Sequence, residues 1–409
     1  MFPSAVTPTV GTPIKERMFR VAEHIPIAVI SPQTWSPLDP IVRLFRSTFR
    51  PLSPAFEIME GVQVYRPKVL SIPKFFKTLD GYLMASGSRS VFKKVCAEFK
   101  PNIVDAHFLY PDGAAAATLA AEHNLPLIVT IRGSKDAKLV GTPREGALRH
   151  VIRSASKLIA VSDSLKVDVA DRLEADPNKT VVVGNGVDLK KFFPEDKLAA
   201  RTRLGIPEDA QVLIGVGGLV ELKGFHRIIA ELPELLKDLP KLKFLVVGGG
   251  TTQGNMLPQL KAQVHQLGLE SVVTFCGPQP PNDLRWYLSA SNLFVSATAY
   301  EGWANVLLEA MACGLPVVTT RVGGNSQVVN SSELGYLVDY WDSAQFRSKT
   351  IDAFRRQWDR SLILQYARKN SWDFRVQSLL EIYRDVITAW DKSSTSALAD
   401  KSPVKSKLF

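Results

Sequence analysis

Cysteine is scarce. Cys96, Cys276 and Cys313 are the three in 409 residues, far apart and without metal-ligand spacing, so buried thiols in a reducing compartment are expected. No apolar run approaches the roughly 20 residues that cross a bilayer, and the chain does not open with a charged segment leading into an apolar one. A cytoplasmic location is therefore expected. No Asp-x-Asp pair occurs, so the sequence offers no carboxylate pair for a metal-bridged diphosphate and no metal is expected. Zinc-finger spacing, an aromatic RNP-type strand and a heptad-linked basic region are also missing, which argues against nucleic acid as a partner despite a net charge of +10.

What is present suits a globular protein with two cores: 45% hydrophobic and 22% charged residues. Short β-rich runs at residues 27–31, 103–107, 127–131, 158–162 and 180–183 alternate with helical patterns such as residues 114–122 and 148–155. A second series follows the connection at residues 190–207, with strands expected at 212–216, 244–247, 272–275, 293–296 and 316–319. Alternation at this scale implies parallel sheets covered by helices. The expected fold class is α/β, with two Rossmann-like doubly wound domains. They would comprise residues 1–189 and 190–370, followed by a helix at 371–390 and a disordered tail at 391–409. Ligands of such folds bind at the carboxyl ends of the strands, here in the cleft between the domains. In the first domain, Arg43, Arg46, Arg50, Lys74, Lys77, Lys93 and Lys94 interleave with Leu44, Phe45 and Phe49. That pattern suits either a solvated basic face or an anionic membrane surface.

The densest segment is EGWANVLLEAMACGLPVVTTRVGG, residues 301–324. Glu301 precedes a helix expected over residues 304–313, Gly314 suits a left-handed C-cap and Pro316 blocks continuation before a β-rich run. Backbone N–H groups at Trp303, Ala304 and Asn305 would face an anion. Glu309 would accept from both hydroxyls of a ribose, with Glu301 nearer a sugar. By spacing alone, the two glutamates favour the plainer reading, an acidic helix start stabilised by the dipole.

The whole segment resembles the E-x7-E region of retaining GT-B glycosyltransferases of family 4. Pro8-Thr9-Val10-Gly11, Asp105-Ala106-His107, Asn185-Gly186-Val187-Asp188 and Gly217–Gly224 extend the resemblance in the same order over most of residues 1–390. It implies transfer of a sugar from a nucleotide-sugar donor to a glycan or lipid-linked acceptor, in extracellular polysaccharide or glycolipid synthesis. The catalytic residues would be His107, Lys223 and Glu301. Lys223 would neutralise the departing diphosphate and His107 would hydrogen-bond near the reacting carbon. Gly11, Gly249, Trp303, Ala304, Asn305 and Glu309 would bind the nucleotide-sugar, and no cofactor is implied.

Three features depart from the family. Gly218 stands where an arginine is common, with Arg321 and Arg132 as candidate substitutes. Gln327 stands where the segment after Gly323-Gly324 usually ends in glutamate. Met1 falls at the loop that ordinarily follows a first buried strand, so an internal or truncated start is expected. These departures keep open a catalytically silent nucleotide-sugar-binding scaffold, and because the fold supports several reactions a GT-B-like epimerase or phosphorylase stays open too.

Overall fold

The computed structural model describes residues 2–4, 6, 11–45, 49–71, 76–133, 137–251, 253–340 and 342–399. Two compact units divide the chain. One holds Met1–Val161, Leu165–Val183 and Val376–Phe409, and the other holds Ser162–Ser164 and Gly184–Arg375.

The first unit carries β1 (Ala28–Ile30), β2 (Gln33–Trp35), β3 (Phe56–Met59), β4 (Val62–Tyr65), β5 (Lys68–Leu70), β6 (Val104–His107), β7 (Leu127–Ile131), β8 (Lys157–Ala160) and β9 (Thr180–Val182). Strands β6-β7-β8-β9 form a parallel sheet in sequence order. Its strand β7, LIVTI, is buried at every position, as a strand covered on both faces must be. In the β1-β4-β3 and β2-β5 sheets only β1 falls within an expected run, residues 27–31; β2, β3, β4 and β5 were not expected. β3 and β4 pair antiparallel, and the two residues between them, Glu60 and Gly61, take φ of 51° and 84°. Positive φ at both central positions gives the tight hairpin turn that matches strand twist. The sequence had suggested only parallel pairing here; two turn residues were enough to reverse the chain.

The last helix, Trp372–Ala399, enters this unit's core through Val376, Leu379, Leu380, Tyr383 and Val386, which pack with Val21, Ile128 and Ile159. Their three- and four-residue spacing is one helical face. The expected disordered tail is corrected over residues 391–399, which continue that helix. No Gly or Pro interrupts DKSSTSALA, and extending a formed helix fixes one residue per added hydrogen bond without a new nucleus. Residues 400–409 lie outside the described residues.

The second unit is one six-stranded parallel sheet: β10 (Gln211–Val216), β11 (Leu242–Val247), β12 (Val273–Gly277), β13 (Leu293–Ser296), β14 (Val317–Thr320) and β15 (Gly335–Val338). The spatial order is β12-β11-β10-β13-β14-β15, the doubly wound order in which winding reverses between the first and fourth strands. The helix Phe225–Asp238 covers one face with Phe225, Ile228, Ile229, Leu232 and Leu235. The connection at residues 190–207 also contains a helix, Lys197–Leu204, started by the Asp196 side chain on the Ala199 N–H and ended by Gly205 at φ 64°.

Candidate active site

Winding reversal leaves a crevice at the carboxyl ends of β10 and β13, where neither following helix crosses between the two strands. β10 exits into Gly217-Gly218 and β13 into Ala297–Glu301. Two glycines let these exits crowd together. A Cβ on Gly248, after β11, would lie 1.8 Å from the Gly217 carbonyl oxygen, and one on Gly224 would lie 2.1 Å from that of Ala297. The Ala299 N–H then donates to the Leu222 carbonyl at 2.8 Å, tying the two loops together. Lys223, the neighbour of both Leu222 and Gly224, is thereby carried to Glu301. Its Nζ lies 2.5 Å from Oε2 of Glu301, with both side chains partly exposed.

Glu301 is fixed from its other side by the Gly323-Gly324 turn. The Gly324 N–H donates to the Glu301 carbonyl at 3.0 Å, and a Cβ on Gly323 (φ 49°) would stand 1.7 Å from the same oxygen. Beyond Glu301 runs the helix Asn305–Ala312, which begins at Ala304 without a side-chain cap. The Leu307 N–H donates back to the Ala304 carbonyl at 3.1 Å, and the N–H groups before it are the donors that a helix start leaves without an intrahelical partner. Glu309 projects from this helix at half burial. Asn305 is held by Asn185, whose Nδ2 donates to its Oδ1 at 3.0 Å.

The structure distinguishes backbone from side-chain contributions among the expected residues. Trp303 is spent on packing: it is buried, a Cβ on Gly184 would stand 2.4 Å from its ring, and Arg375 lies over the ring at 5.7 Å. Its Nε1 has no partner among the described residues. Ala304 is buried. At Gly249 a Cβ would meet only Pro278 at 3.6 Å, ordinary contact; the close approach is made by Gly248. Gly11 caps the Thr12–Ala22 helix at φ 74°, a conformation that favours glycine, while Pro8, Thr9 and Val10 lie outside the described residues. In the Asn185–Asp188 motif, Gly186 is required because its Cβ would lie 2.5 Å from the Trp372 nitrogen.

Both departures around this crevice have local explanations. A Cβ on Gly218 would strike the Thr251 methyl at 2.5 Å, so threonine occupies the path of a longer side chain. Arg321 is paired with Asp339 at 3.3 Å and Arg132 is bonded to His107. Gln327 accepts from the Asp163 N–H at 2.6 Å and its Nε2 donates to the Asp163 carboxylate. An amide can do both; a glutamate there would face Asp163 as a like charge.

His107, in the first unit, ends β6 half-buried in a polar cluster. Arg132 Nε donates to His107 Nδ1 at 3.1 Å, which makes Nδ1 the acceptor and leaves the ring proton on Nε2. Burial first, then Arg132 and Arg17, holds the imidazole pKa well below 6.5, so the ring is neutral. Nε2 is buried without a partner among the described residues. Asp105, two residues earlier on the same strand face, accepts from the Tyr383 hydroxyl at 2.5 Å. Arg17 donates to the Val183 carbonyl at 2.9 Å. Sequence reasoning missed Tyr383 and Arg17; their only signal was a polar residue on an otherwise apolar helical face.

The basic-apolar stretch of the first unit resolves into two parts. Arg43 and Arg50 are tied down, Arg43 to the Phe49 and Arg50 carbonyls and Arg50 to Asp39. Leu44 and Phe45 are 81% and 85% exposed, large apolar side chains facing water. Arg46 and Lys74 lie outside the described residues. Cys313 is buried and Cys96 and Cys276 only half-buried, all three unbridged, with burial pushing the Cys313 thiol up to about 12. Among the described residues no helix is long and apolar enough to cross a membrane.

Comparison with known proteins follows the same division. The family model described as Glycosyl transferases group 1 matches residues 196–370, and that described as Glycosyltransferase Family 4 matches residues 41–191. A D-inositol 3-phosphate glycosyltransferase of Nocardioides sp. is 31% identical over 367 residues, 83% of this chain and 80% of that one. The Bacillus subtilis glycosyltransferase TuaC, assigned to teichuronic acid biosynthesis, is 30% identical over 366 residues, 87% and 88% of the two chains. The solved structure of Anabaena HepE in complex with UDP superposes with a TM-score of 0.67 at 19% identity, covering 88% of this chain and 100% of that one. The fold is GT-B.

Proposed function

This chain belongs to the family 4 (group 1) glycosyltransferases, and on that premise we propose that it moves a sugar from a nucleoside-diphosphate donor to an acceptor hydroxyl with retention at the anomeric carbon. The observation that carries this reading is the Lys223–Glu301 pair at the winding reversal, beside an uncapped helix start.

Each group has an assignable task. Glu309 takes the ribose hydroxyls and Glu301 the sugar. Lys223 and the first-turn amides at residues 303–305 neutralise the diphosphate as the glycosidic bond breaks and negative charge gathers on its terminal oxygen. The acceptor hydroxyl attacks on the face the diphosphate leaves, and the departing phosphate takes its proton. Gly11 and Gly249 offer backbone to the donor. His107, neutral and with Nε2–H to give, donates to a sugar or acceptor hydroxyl rather than acting as a base at neutral pH. Fixed cations and amides do the work of a divalent metal, so transfer persists in chelator; a loss of activity in EDTA that magnesium or manganese restores would refute this.

Uridine is the first base to test, since HepE holds UDP. Acceptors of envelope glycan or glycolipid synthesis fit the relatives' teichuronic acid and inositol phosphate chemistry. The exposed Leu44 and Phe45 supply apolar anchors for an anionic membrane surface, a reading that fails if Leu44→Ser with Phe45→Ser leaves flotation with anionic vesicles unchanged. Calorimetric titration with UDP, GDP, ADP and their sugar conjugates tests the donor site. One base should bind selectively, with affinity falling at least about tenfold in Glu309→Ala. Equal binding by the variant would remove Glu309 from the site.

A further inference from the structure

The opposite edge of the second unit's sheet holds a second cluster of charge. Asn292 immediately precedes β13 and Pro316 immediately precedes β14, so groups around them lie at the amino ends of the strands, away from the crevice that receives the donor. A cavity of 170 Å³ is lined there by Lys197, Asn292, Gly314, Trp358 and Arg360 among others.

Its polar lining consists mainly of donors. The Lys197 ammonium forms no hydrogen bond or ion pair with any described residue. Burial first, then the positive charges of Arg201 and Arg360, lowers its pKa to about 8. Asn292 has its Oδ1 occupied by Arg201 at 2.8 Å and by the Val212 N–H at 2.9 Å, which leaves its amide N–H groups to offer. Arg360 spends one Nη2 bond on the Cys313 carbonyl at 3.3 Å and keeps further N–H donors. The carboxylates next in sequence are occupied elsewhere: Asp196 caps the helix that starts at Lys197, and Asp359 caps the one that starts at Arg360.

Lys197 and Arg360 therefore each stand on the first turn of a helix, where the peptide dipole disfavours a cation. A half-buried ammonium that feels the charges of Arg201 and Arg360 and has no carboxylate partner among the described residues costs stability unless an anion completes the group. We propose that this cavity is a binding site for a small oxyanion, inorganic phosphate or the phosphate group of a phosphomonoester, held by Lys197, Arg360 and the Asn292 amide. Its size is that of about five or six waters at ~30 Å³ each, enough for a phosphate with part of its hydration and too small for a nucleotide-sugar, which needs ~300 Å³ or more. Trp358, whose Nε1 is already bonded to the Ala353 carbonyl at 2.8 Å, presents an apolar wall.

The test is thermal unfolding and calorimetry of the full chain with sodium phosphate and with glycerol 3-phosphate, against sodium chloride at matched ionic strength. Wild type should gain stability with phosphate beyond the chloride control; no such gain overturns the proposal. Lys197→Met and Arg360→Gln should each weaken phosphate binding about tenfold or more, while Lys223→Ala, in the donor crevice, leaves it intact. Phosphate binding that is lost in Lys223→Ala but kept in Lys197→Met assigns the anion to the diphosphate site and overturns the proposal. In phosphate-free buffer near pH 7, Lys197→Met should unfold at a higher temperature than wild type, because the repulsion has been removed. A lower temperature would mark Lys197 as a structural side chain and overturn the proposal as well. Glycerol 3-phosphate binding as tightly as phosphate identifies a monoester site open to solvent; binding of inorganic phosphate alone identifies the free ion as occupant.

Discussion

The Lys223 ammonium lies 2.5 Å from the Glu301 carboxylate although 78 residues separate them. With both side chains partly exposed, a pair of this kind contributes ~0–1 kcal/mol to folding, so its value is in keeping a cation and an anion poised in one crevice. Lys223→Ala is expected to lower kcat by about 10²–10³, the range for removing one charge-stabilising donor, with a change in melting temperature of only a few degrees. Glu301→Gln keeps the volume and removes the charge; turnover should fall while nucleoside-diphosphate affinity stays near wild type. Steady-state kinetics alongside calorimetry separate these, and a Lys223→Ala protein of normal turnover would remove the lysine from the mechanism.

His107 makes a prediction in pH. Its folded pKa is held well below 6.5 by burial, Arg132 and Arg17, whereas the unfolded imidazole takes a proton near 6.5. Below that value the unfolded chain binds more protons than the folded one, so the stability His107 contributes is whole above pH 6.5 and is lost on acidification toward the folded pKa. Chemical denaturation between pH 4 and 8, run on wild type and His107→Gln, should show a shallower acid-side slope in the variant. The pH profile of kcat/KM should carry no ionisation of His107 near 6.5, and one that disappears in the variant would contradict the neutral-donor role.

Gly218 is paired sterically with Thr251. Thr251 is exposed and can turn its methyl aside, so Gly218→Ala should destabilise the second unit by no more than about 1 kcal/mol, and Thr251→Gly should relieve that cost. Gly218→Arg combined with Thr251→Gly restores a guanidinium beside the diphosphate and should tighten donor binding by about tenfold, read by calorimetry. Equal affinity with and without the arginine would show that the Gly218 position does not face the donor.

Gln327→Glu sets a carboxylate against that of Asp163, which now accepts from the Gln327 amide. The bond is exposed, so its loss with the added like-charge repulsion should cost about 0.5–1.5 kcal/mol, and Asp163→Asn should recover it. A double-mutant cycle read by denaturant unfolding checks the coupling; additive effects would break the link between the two residues.

Most of the second unit was legible in the residues. Its four inner strands, β10, β11, β13 and β14, are buried at nearly every position, so Val, Leu and Ile runs announce them, whereas the half-buried edge strand β15, GYLV, was not expected; Gly217, Gly224, Gly248 and Gly323 mark places where two backbones touch. The first unit was less legible. β2, β3 and β5 are three or four residues long and mix polar with apolar positions, so periodicity has nothing to count, and residues 391–399 lacked an apolar stripe although nothing in them stops a helix. Local chemistry thus determined the parallel sheets, the short helix after Glu301 and the family resemblance. The tertiary structure alone decided that Lys223 meets Glu301, that Arg132 sets the His107 tautomer, that Thr251 answers Gly218 and Asp163 answers Gln327, and that Lys197 stands among cations. Apart from Lys197 with Arg201, four residues on in the same helix, each of these brings together groups tens of residues apart or more, and chain closure over such distances is set by how the strands order in the sheet, which no local window of sequence contains.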